Sequence, residues 1–316
     1  MIAELKQALE QAESIALICH VSPDMDTLGS AVGLKMALEK MGKRVKVYAQ
    51  DEVPKRYLFL EGVDAVQQPD EEEFDLCVAI DVSDEERMGS ARAIFDRTAS
   101  TALIDHHPTT VPFAQISVLR PQAAATAQII VDLMQTYGWE ISARAAMCLW
   151  AGISTDTGNF SFDSVRGETF RAAAICVDCG AQPGMITEKL YRTSTEGHVR
   201  AMGRVLNGLR LSREGRVCIL CNTHRDVEEC HATQEDLSGI INQAQEIESV
   251  QAVAHLSERE GFIKCSLRAK APLDVAKVAQ KFGGGGHVRA AGCSFYGLTM
   301  EEASAVMERA LAEIVQ

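Results

Sequence analysis

Residues 14–50, SIALICHVSPDMDTLGSAVGLKMALEKMGKRVKVYAQ, decide the fold. SIALICH is a short apolar run, GSAVGLKMALEKMG has the spacing of a helix, and RVKVYAQ returns to strand-like alternation. Strand, helix and strand in so few residues make a β-α-β unit. FDLCVAID at 74–81 and TALID at 101–105 repeat the buried-strand signal, and helices are expected over 123–137 and 142–153. Alternation of this kind predicts an α/β fold with an N-terminal, largely parallel sheet flanked by helices.

After Gly180 the grammar changes. AQPGMI supplies helix breakers, and EKLYRTSTEGHVRAMGRVLNGLRL reads as one long polar helix or a pair. RVCILCNT, VQAVAHLSE and FIKCSLRAK then read as strands, before a helix at LDVAKVAQKF, a glycine run, the strand AAGCSF and a closing helix from Met300. Strands so near in sequence suit an antiparallel or mixed sheet. The expected organisation is a first domain over 1–182, a helical connector over 183–209 and a smaller α/β mixed-sheet domain over 210–316.

Bulk composition narrows the function. The 316 residues are 47% hydrophobic, enough for two separate cores. No apolar run approaches the ~18 residues that span a bilayer, and MIAELKQALEQAE is amphipathic and charged, so the expected setting is cytoplasmic with no membrane partner. Of the ten cysteines, Cys19, Cys77, Cys148 and Cys265 sit inside apolar runs and read as reduced core residues. A net charge of −13 excludes a protein that coats long nucleic acid, which needs many cations to displace condensed counterions. A short phosphorylated ligand, met locally by metal ions and a few arginines, remains compatible with that charge.

Chemistry-bearing residues gather where apolar runs end. His20, Asp24 and Asp26 follow the first strand, with Pro23 delaying the helix and Gly29 easing its packing. Asp81 ends FDLCVAID, Asp105, His106 and His107 end TALIDHH, and Asp156 ends CLWAGISTD. The carboxyl ends of parallel strands are where open α/β sheets bind ligands. Any one of these aspartates alone reads as a helix cap or turn residue, Asp24 or Asp26 for the helix after Thr27. Together they make a mixed imidazole and carboxylate set that suits Mn²⁺ or a similar divalent ion. Carboxylates crowded so closely repel one another without cations, which favours two ions over one.

In the second half, Gly283 to Gly286 and His287 precede VRAAG. Successive glycines expose backbone N–H groups to a ligand, although a bare run also serves as a flexible turn between helix and strand. Two CxxC pairs, Cys176/Cys179 in a helix-like stretch and Cys218/Cys221 in a strand, do not suit a zinc site, since strand residues three apart face opposite ways. Arg192 and His198 read as a solvated helix face and Asn159 as a turn residue.

The spacing His20-x-x-x-Asp24-x-Asp26, then Asp81, then Asp105-His106-His107, then Asp156 resembles the four motifs of the DHH phosphoesterase superfamily over roughly residues 14–160. GGGGHVRAAG resembles the GGGH-x-x-A-A-G motif of DHHA1 domains, with Arg268 where those domains carry a nucleotide-binding arginine. The resemblance implies that His20 and Asp24 hold one ion, that Asp26, His106 and Asp156 hold the other, and that Asp81 bridges both. It implies further that His107 faces the phosphate while Asp105 orients an imidazole, and that Arg268, Gly284, Gly285, Gly286 and His287 grip the substrate. The DHH-DHHA1 pairing is similar to the nano-RNase and 3′-phosphoadenosine-5′-phosphate phosphatase group, whose members take short RNA oligonucleotides or small phosphorylated nucleotides. Related stand-alone proteins cleave cyclic di-AMP or pApA. An inorganic pyrophosphatase would carry a different, lysine-rich second domain, and a silent nucleotide sensor would show gaps in the ligand set. A homodimer is compatible with all of these readings.

Overall fold

The computed structural model describes residues 1–315, apart from the side chain of His287. It divides into two compact units, Met1–Thr193 and Ser194–Gln316. The first is built from α1 (Ile2–Gln11), β1 (Ser14–Ile18), α2 (Met25–Lys40), β2 (Arg44–Tyr48), β3 (Leu76–Ile80), α3 (Arg92–Arg97), β4 (Thr101–Asp105), β5 (Ile116–Leu119), α4 (Thr126–Tyr137), α5 (Ala143–Asp156), α6 (Gly167–Asp178) and α7 (Pro183–Thr187). Its five strands run in the order β2-β1-β3-β4-β5, and every pairing is parallel.

Alternate residues of the inner strands feed opposite layers, as a pleated strand requires. Ile15, Leu17, Val78, Ile80, Ala102 and Ile104 join the core under α2, α4 and α5. Ala16, Ile18, Cys77, Ala79 and Leu103 pack on the other side against Met88, Ile94 and Phe95 around α3. Helices therefore cover both faces, and β1, β3 and β4 are buried along their whole length.

Asp156 lies at the last residue of α5 and not at a strand end. The apolar run before it is continuous because α5 is buried on most sides, from Cys148 through Ser154, and a buried helix cannot be told from a buried strand by hydrophobicity alone. Close packing of α2 on α5 depends on Gly29, where an added Cβ would lie 2.3 Å from the backbone oxygen of Cys148. Gly29→Ala is expected to cost about 1–3 kcal/mol through overpacking, or roughly 2–10 °C in the melting temperature of a unit this size. Thermal unfolding followed by circular dichroism checks this, and an unchanged melting point would show that the helices can part freely.

The second unit contains α8 (Glu196–Asn207), β6 (Arg210–Ser212), β7 (Val217–Asn222), α9 (His224–Glu229), α10 (Ile240–Gln245), β8 (Ala252–Arg259), β9 (Phe262–Ala269), α11 (Val275–Gln280), β10 (Gly285–His287), β11 (Ala290–Phe295) and α12 (Met300–Ile314). Its sheet is mixed, in the order β10-β11-β9-β8-β7-β6, with β7 parallel to β8 and the other neighbours antiparallel. One face packs on α11 and α12, and part of the other on α8, α9 and α10.

The segment expected as a connector, 183–209, does not form a separate element. Ile186 is fully buried in the first core, whereas α8 sinks Ala201 and Val205 into the second, so the division falls at Thr193. Among the described residues, no helix is long and apolar enough to cross a membrane. All ten cysteines are free, and none belongs to a group able to hold a metal ion among the described residues.

Candidate metal centre

Strand order β2-β1-β3-β4-β5 reverses direction between β1 and β3, and ligands bind at such a switch point beyond the strand ends. His20, Asp24 and Asp26 follow β1, Asp81 follows β3, and Asp105 closes β4 ahead of His106 and His107. The end of α5 adds Asp156. The fold thus brings together the eight residues singled out in the first half of the sequence.

His20 Nε2 lies 3.6 Å from Asp24 Oδ1 and 3.7 Å from Asp81 Oδ2. His106 Nε2 lies 3.6 Å from the other Asp81 oxygen, Oδ1, 3.9 Å from Asp26 Oδ2 and 3.2 Å from Asp156 Oδ2. Both rings are oriented from behind: His20 Nδ1 is 2.8 Å from the Val21 carbonyl and His106 Nδ1 is 3.3 Å from that of Ala123. Such backing turns Nε2 toward the centre and is the usual support of a metal-binding imidazole.

Asp81 occupies a left-handed backbone conformation at φ 61°, which Asp tolerates better than most residues. Its side chain is 3% exposed. Burial, followed by the charges of Asp26, Asp24 and Asp156, pushes its carboxyl well above the usual range. Asp156 is likewise pushed up to about 9, first by burial and then by Asp26, Asp24 and Asp105. Anions held in this way are disfavoured alone and fit divalent cations, with nitrogen and oxygen donors and no thiolate.

Asp105 and His107 form a different kind of pair. His107 Nδ1 donates to Asp105 Oδ1 at 2.8 Å, and that contact raises the pKa of the imidazole. Burial alone would raise Asp105, yet hydrogen bonds from His107 and Thr110 hold its carboxyl below the usual range. His107 Nδ1 is 3.7 Å from Asp81 Oδ1, so these two residues and His106 also make a three-membered group of metal-ligating type. With Nδ1 committed to Asp105, Nε2 is the remaining hydrogen-bonding atom of the His107 ring.

Several contributors were not evident in the sequence. Thr126 donates its backbone N–H to Asp26 Oδ2 at 2.6 Å and its hydroxyl to Asp81 Oδ1 at 2.8 Å, while Ala127 N–H reaches Asp26 Oδ1 at 2.9 Å. The start of α4 therefore fixes two carboxylates. Asp24 does cap α2, accepting from the backbone N–H groups of Asp26 and Thr27, and also faces His20. Arg56, Tyr57, Thr155 and Tyr191 line a cavity of about 270 Å³ with Asp24 and Asp156. An arginine before tyrosine in a single turn of 3-10 helix, Lys55–Tyr57, carried no pattern that marked it.

In the second unit, Arg268 on β9, Ala290 on β11 and His287 on β10 stand in one row across the sheet. The His287 side chain lies outside the described residues. Gly285 and Gly286 form β10 and not a loose turn. A Cβ at Gly284 would lie 2.1 Å from the Gly292 oxygen, and one at Gly286 2.6 Å from that of Ala290, so both glycines permit close backbone contact with β11. Arg268 is half-buried, and burial lowers its pKa. His198 Nδ1 is tied to the Asp236 carbonyl at 2.6 Å, and Arg192 stands exposed at the end of a π-helical turn, Glu188–Arg192.

Comparison with known proteins agrees with this geometry. Residues 14–153 match the N-terminal domain of the DHH family, and residues 223–313 match the DHHA1 domain. The chain is 32% identical to the bifunctional oligoribonuclease and PAP phosphatase NrnA of Thermus thermophilus, covering 96% of this chain and 90% of that protein. It is 26% identical to the NrnA of Bacillus subtilis over 94% of each. An exopolyphosphatase-related protein from Bacteroides fragilis superposes with a TM-score of 0.93 at 28% identity, over 99% of this chain and 95% of that one. With the ligand set at the switch point and both domains matched, the chain belongs to the DHH family of phosphoesterases, with a DHHA1 domain as its second unit.

Proposed function

We propose that the protein uses two divalent ions, Mn²⁺ in preference, to hydrolyse short oligoribonucleotides to nucleoside 5′-monophosphates and 3′-phosphoadenosine-5′-phosphate to AMP and phosphate. The observation that supports this reading is the placement of Asp81, whose two oxygens face two different histidines, His20 and His106. His20, Asp24 and Asp81 would hold one ion, and Asp26, His106, Asp156 and Asp81 the other. The chemistry such ions supply is Lewis acidity toward a phosphoryl oxygen and activation of water for in-line attack. His107, held by Asp105, donates to a phosphoryl oxygen as negative charge develops there. In an oligonucleotide the P–O3′ bond breaks: phosphorus gains the water oxygen, O3′ gains a proton, and the 5′-phosphate is released. The Thermus and Bacillus relatives, named for both oligoribonuclease and PAP phosphatase activity, support both substrate types.

The second unit would hold the nucleotide through Arg268, the Gly284–Gly286 backbone and His287. The test is a panel of Mn²⁺-supported kcat/KM values for dinucleotide RNA, long RNA, 3′-phosphoadenosine-5′-phosphate, pApA and cyclic di-AMP, repeated with Arg268→Ala. Two- to four-nucleotide RNA and 3′-phosphoadenosine-5′-phosphate are expected to lead, and pApA to exceed cyclic di-AMP. Arg268→Ala should lower every nucleotide value by roughly 10–150-fold, the weight of one charge-assisted hydrogen bond, and spare a small artificial phosphodiester. Faster cleavage of long RNA, or of cyclic di-AMP over pApA, would overturn the substrate assignment. Equal losses on both substrate types would remove the anchoring role of Arg268.

A further inference from the structure

Strands β9 and β11 pair in antiparallel fashion, and their register sets Cys265 directly opposite Cys293. Both side chains join the core beneath α11 and α12, at 0% and 6% exposure. Ala269 donates its backbone N–H to the carbonyl of Arg289, its opposite residue in the next pair of that ladder. Every second pair, Cys265 with Cys293 among them, is therefore of the hydrogen-bonded kind, with Cα atoms ~5.5 Å apart. That spacing lies within the ~4.4–6.8 Å that a disulfide spans.

The two thiols already engage each other. Cys265 Sγ donates to Cys293 Sγ, and this contact holds the Cys293 thiol below its usual range against burial, while it pushes that of Cys265 up. A thiol lowered in this way carries more of the nucleophilic thiolate, and a neighbouring thiol can resolve what it forms. A cavity of about 680 Å³ reaches both cysteines, with Phe282, Gly283 and Gly284 also in its wall. Small solutes thus have a path to the pair. Cys221 stands in the same row beyond Leu256, with its sulfur 3.2 Å from the Ser304 hydroxyl. Two strand spacings, ~9.5 Å, keep it from competing for Cys265.

Cys293 also touches the glycine run. Gly284, just ahead of β10, meets it so closely that an added Cβ would lie 2.7 Å from the Cys293 Cβ. We infer that Cys265 and Cys293 are a site of reversible oxidation, whose disulfide loosens the Gly284–Gly286 backbone and weakens the hold of the second unit on nucleotides. Facing Cβ atoms stand ~4.5–5.5 Å apart, against ~3.5–4.5 Å across a disulfide, so closing the bond draws Cys293 toward β9 by about 1 Å. That shift takes its methylene off Gly284 and disturbs β10, an edge strand whose only neighbour is β11. A bond closed under strain is also easily reduced. The oxidant is hydrogen peroxide: the Cys293 thiolate attacks one oxygen, the O–O bond breaks, and the departing hydroxide takes a proton to become water. Cys265 then attacks the sulfenic sulfur, the S–S bond forms, and the S–O bond breaks to release a second water. Two electrons pass from the sulfur pair to one peroxide. The inference rests on the second unit as the nucleotide holder and adds a control on it.

Peptide mapping and hydrogen exchange test the switch without reference to catalysis. The full chain is treated with hydrogen peroxide in chelator, its remaining thiols are blocked, and its peptides are mapped by mass spectrometry. A linked Cys265–Cys293 peptide is expected, and dithiothreitol should abolish it. Amides of Gly284–His287 should exchange faster in the oxidised chain. After removal of peroxide and addition of Mn²⁺, kcat/KM for dinucleotide RNA should be lower by roughly 5–150-fold, the range of ordinary coupling between sites. Dithiothreitol should restore it, and a small artificial phosphodiester should be cut at an unchanged rate. Cys265→Val, close to cysteine in size, should keep the reduced activity and lose the response to peroxide. Absence of the linked peptide, unchanged exchange once it has formed, an equal loss on the artificial phosphodiester, or an undiminished response in Cys265→Val would overturn the inference. A chain that forms the link and loosens at Gly284–His287, yet hydrolyses no nucleotide when reduced, would overturn the catalytic reading alone.

Discussion

Asp81→Ala is expected to lower kcat on every substrate by at least a thousandfold, because loss of a core catalytic group normally costs several powers of ten. The carboxylate is wedged between His20 and His106, one oxygen toward each, and Thr126 holds it in place. On the proposed two-ion reading, removing it would take a ligand from both halves of the centre and leave Asp26 and Asp156 without the bridge. Asp81→Asn should be nearly as damaging, since one of its two atoms can no longer act as an anionic ligand. Steady-state kinetics with metal content measured on the same samples checks both points. Retention of more than about a tenth of wild-type kcat in Asp81→Ala would sink the bridging assignment.

His107→Ala is expected to lower kcat by roughly 10²–10³, the usual loss when one donor to a developing negative charge is removed, with metal content unchanged. The reason is the division of its ring, with Nδ1 bonded to Asp105 and Nε2 free. Asp105→Asn should cost less, because it loosens the ring without deleting the donor. Loss of a bound ion in His107→Ala would instead make the group Asp81, His106 and His107 a true ligand set.

The parts of this fold that could be read from sequence are those whose burial is complete. β1, β3 and β4 are hydrophobic throughout because both faces are covered, and their ends carry the polar residues of the centre. β5 escaped notice: four residues long, at the sheet edge and with half-exposed ends, it carries almost no pattern. Asp156 was expected in the cluster and lies there, but its place at a helix end was not legible: a helix was expected over 142–153, and the apolar run gives no sign that α5 continues to Asp156. Thr126 was hidden because a threonine opening a helix ordinarily signals a cap, and nothing local shows that its hydroxyl reaches Asp81. The pairing of Cys265 with Cys293 was equally silent, as each reads as one more small core residue until β11 is known to lie beside β9.

The proposed ligands of the metal centre are spread from residue 20 to residue 156 and follow β1, β3 and β4 or end α5. During synthesis at ~5–20 residues per second, roughly 7–27 seconds separate the emergence of the first from the last. Parallel sheets, with their distant pairings, form slowly as well. A nascent chain therefore offers an ion no more than partial sets, such as His20 with Asp24 and Asp26, until the whole first unit has closed. On the proposed two-ion reading, ions that bound only the finished structure would add their full binding energy to the folded side of the equilibrium. They would act as a lock on a completed domain and not as a template on which it is built.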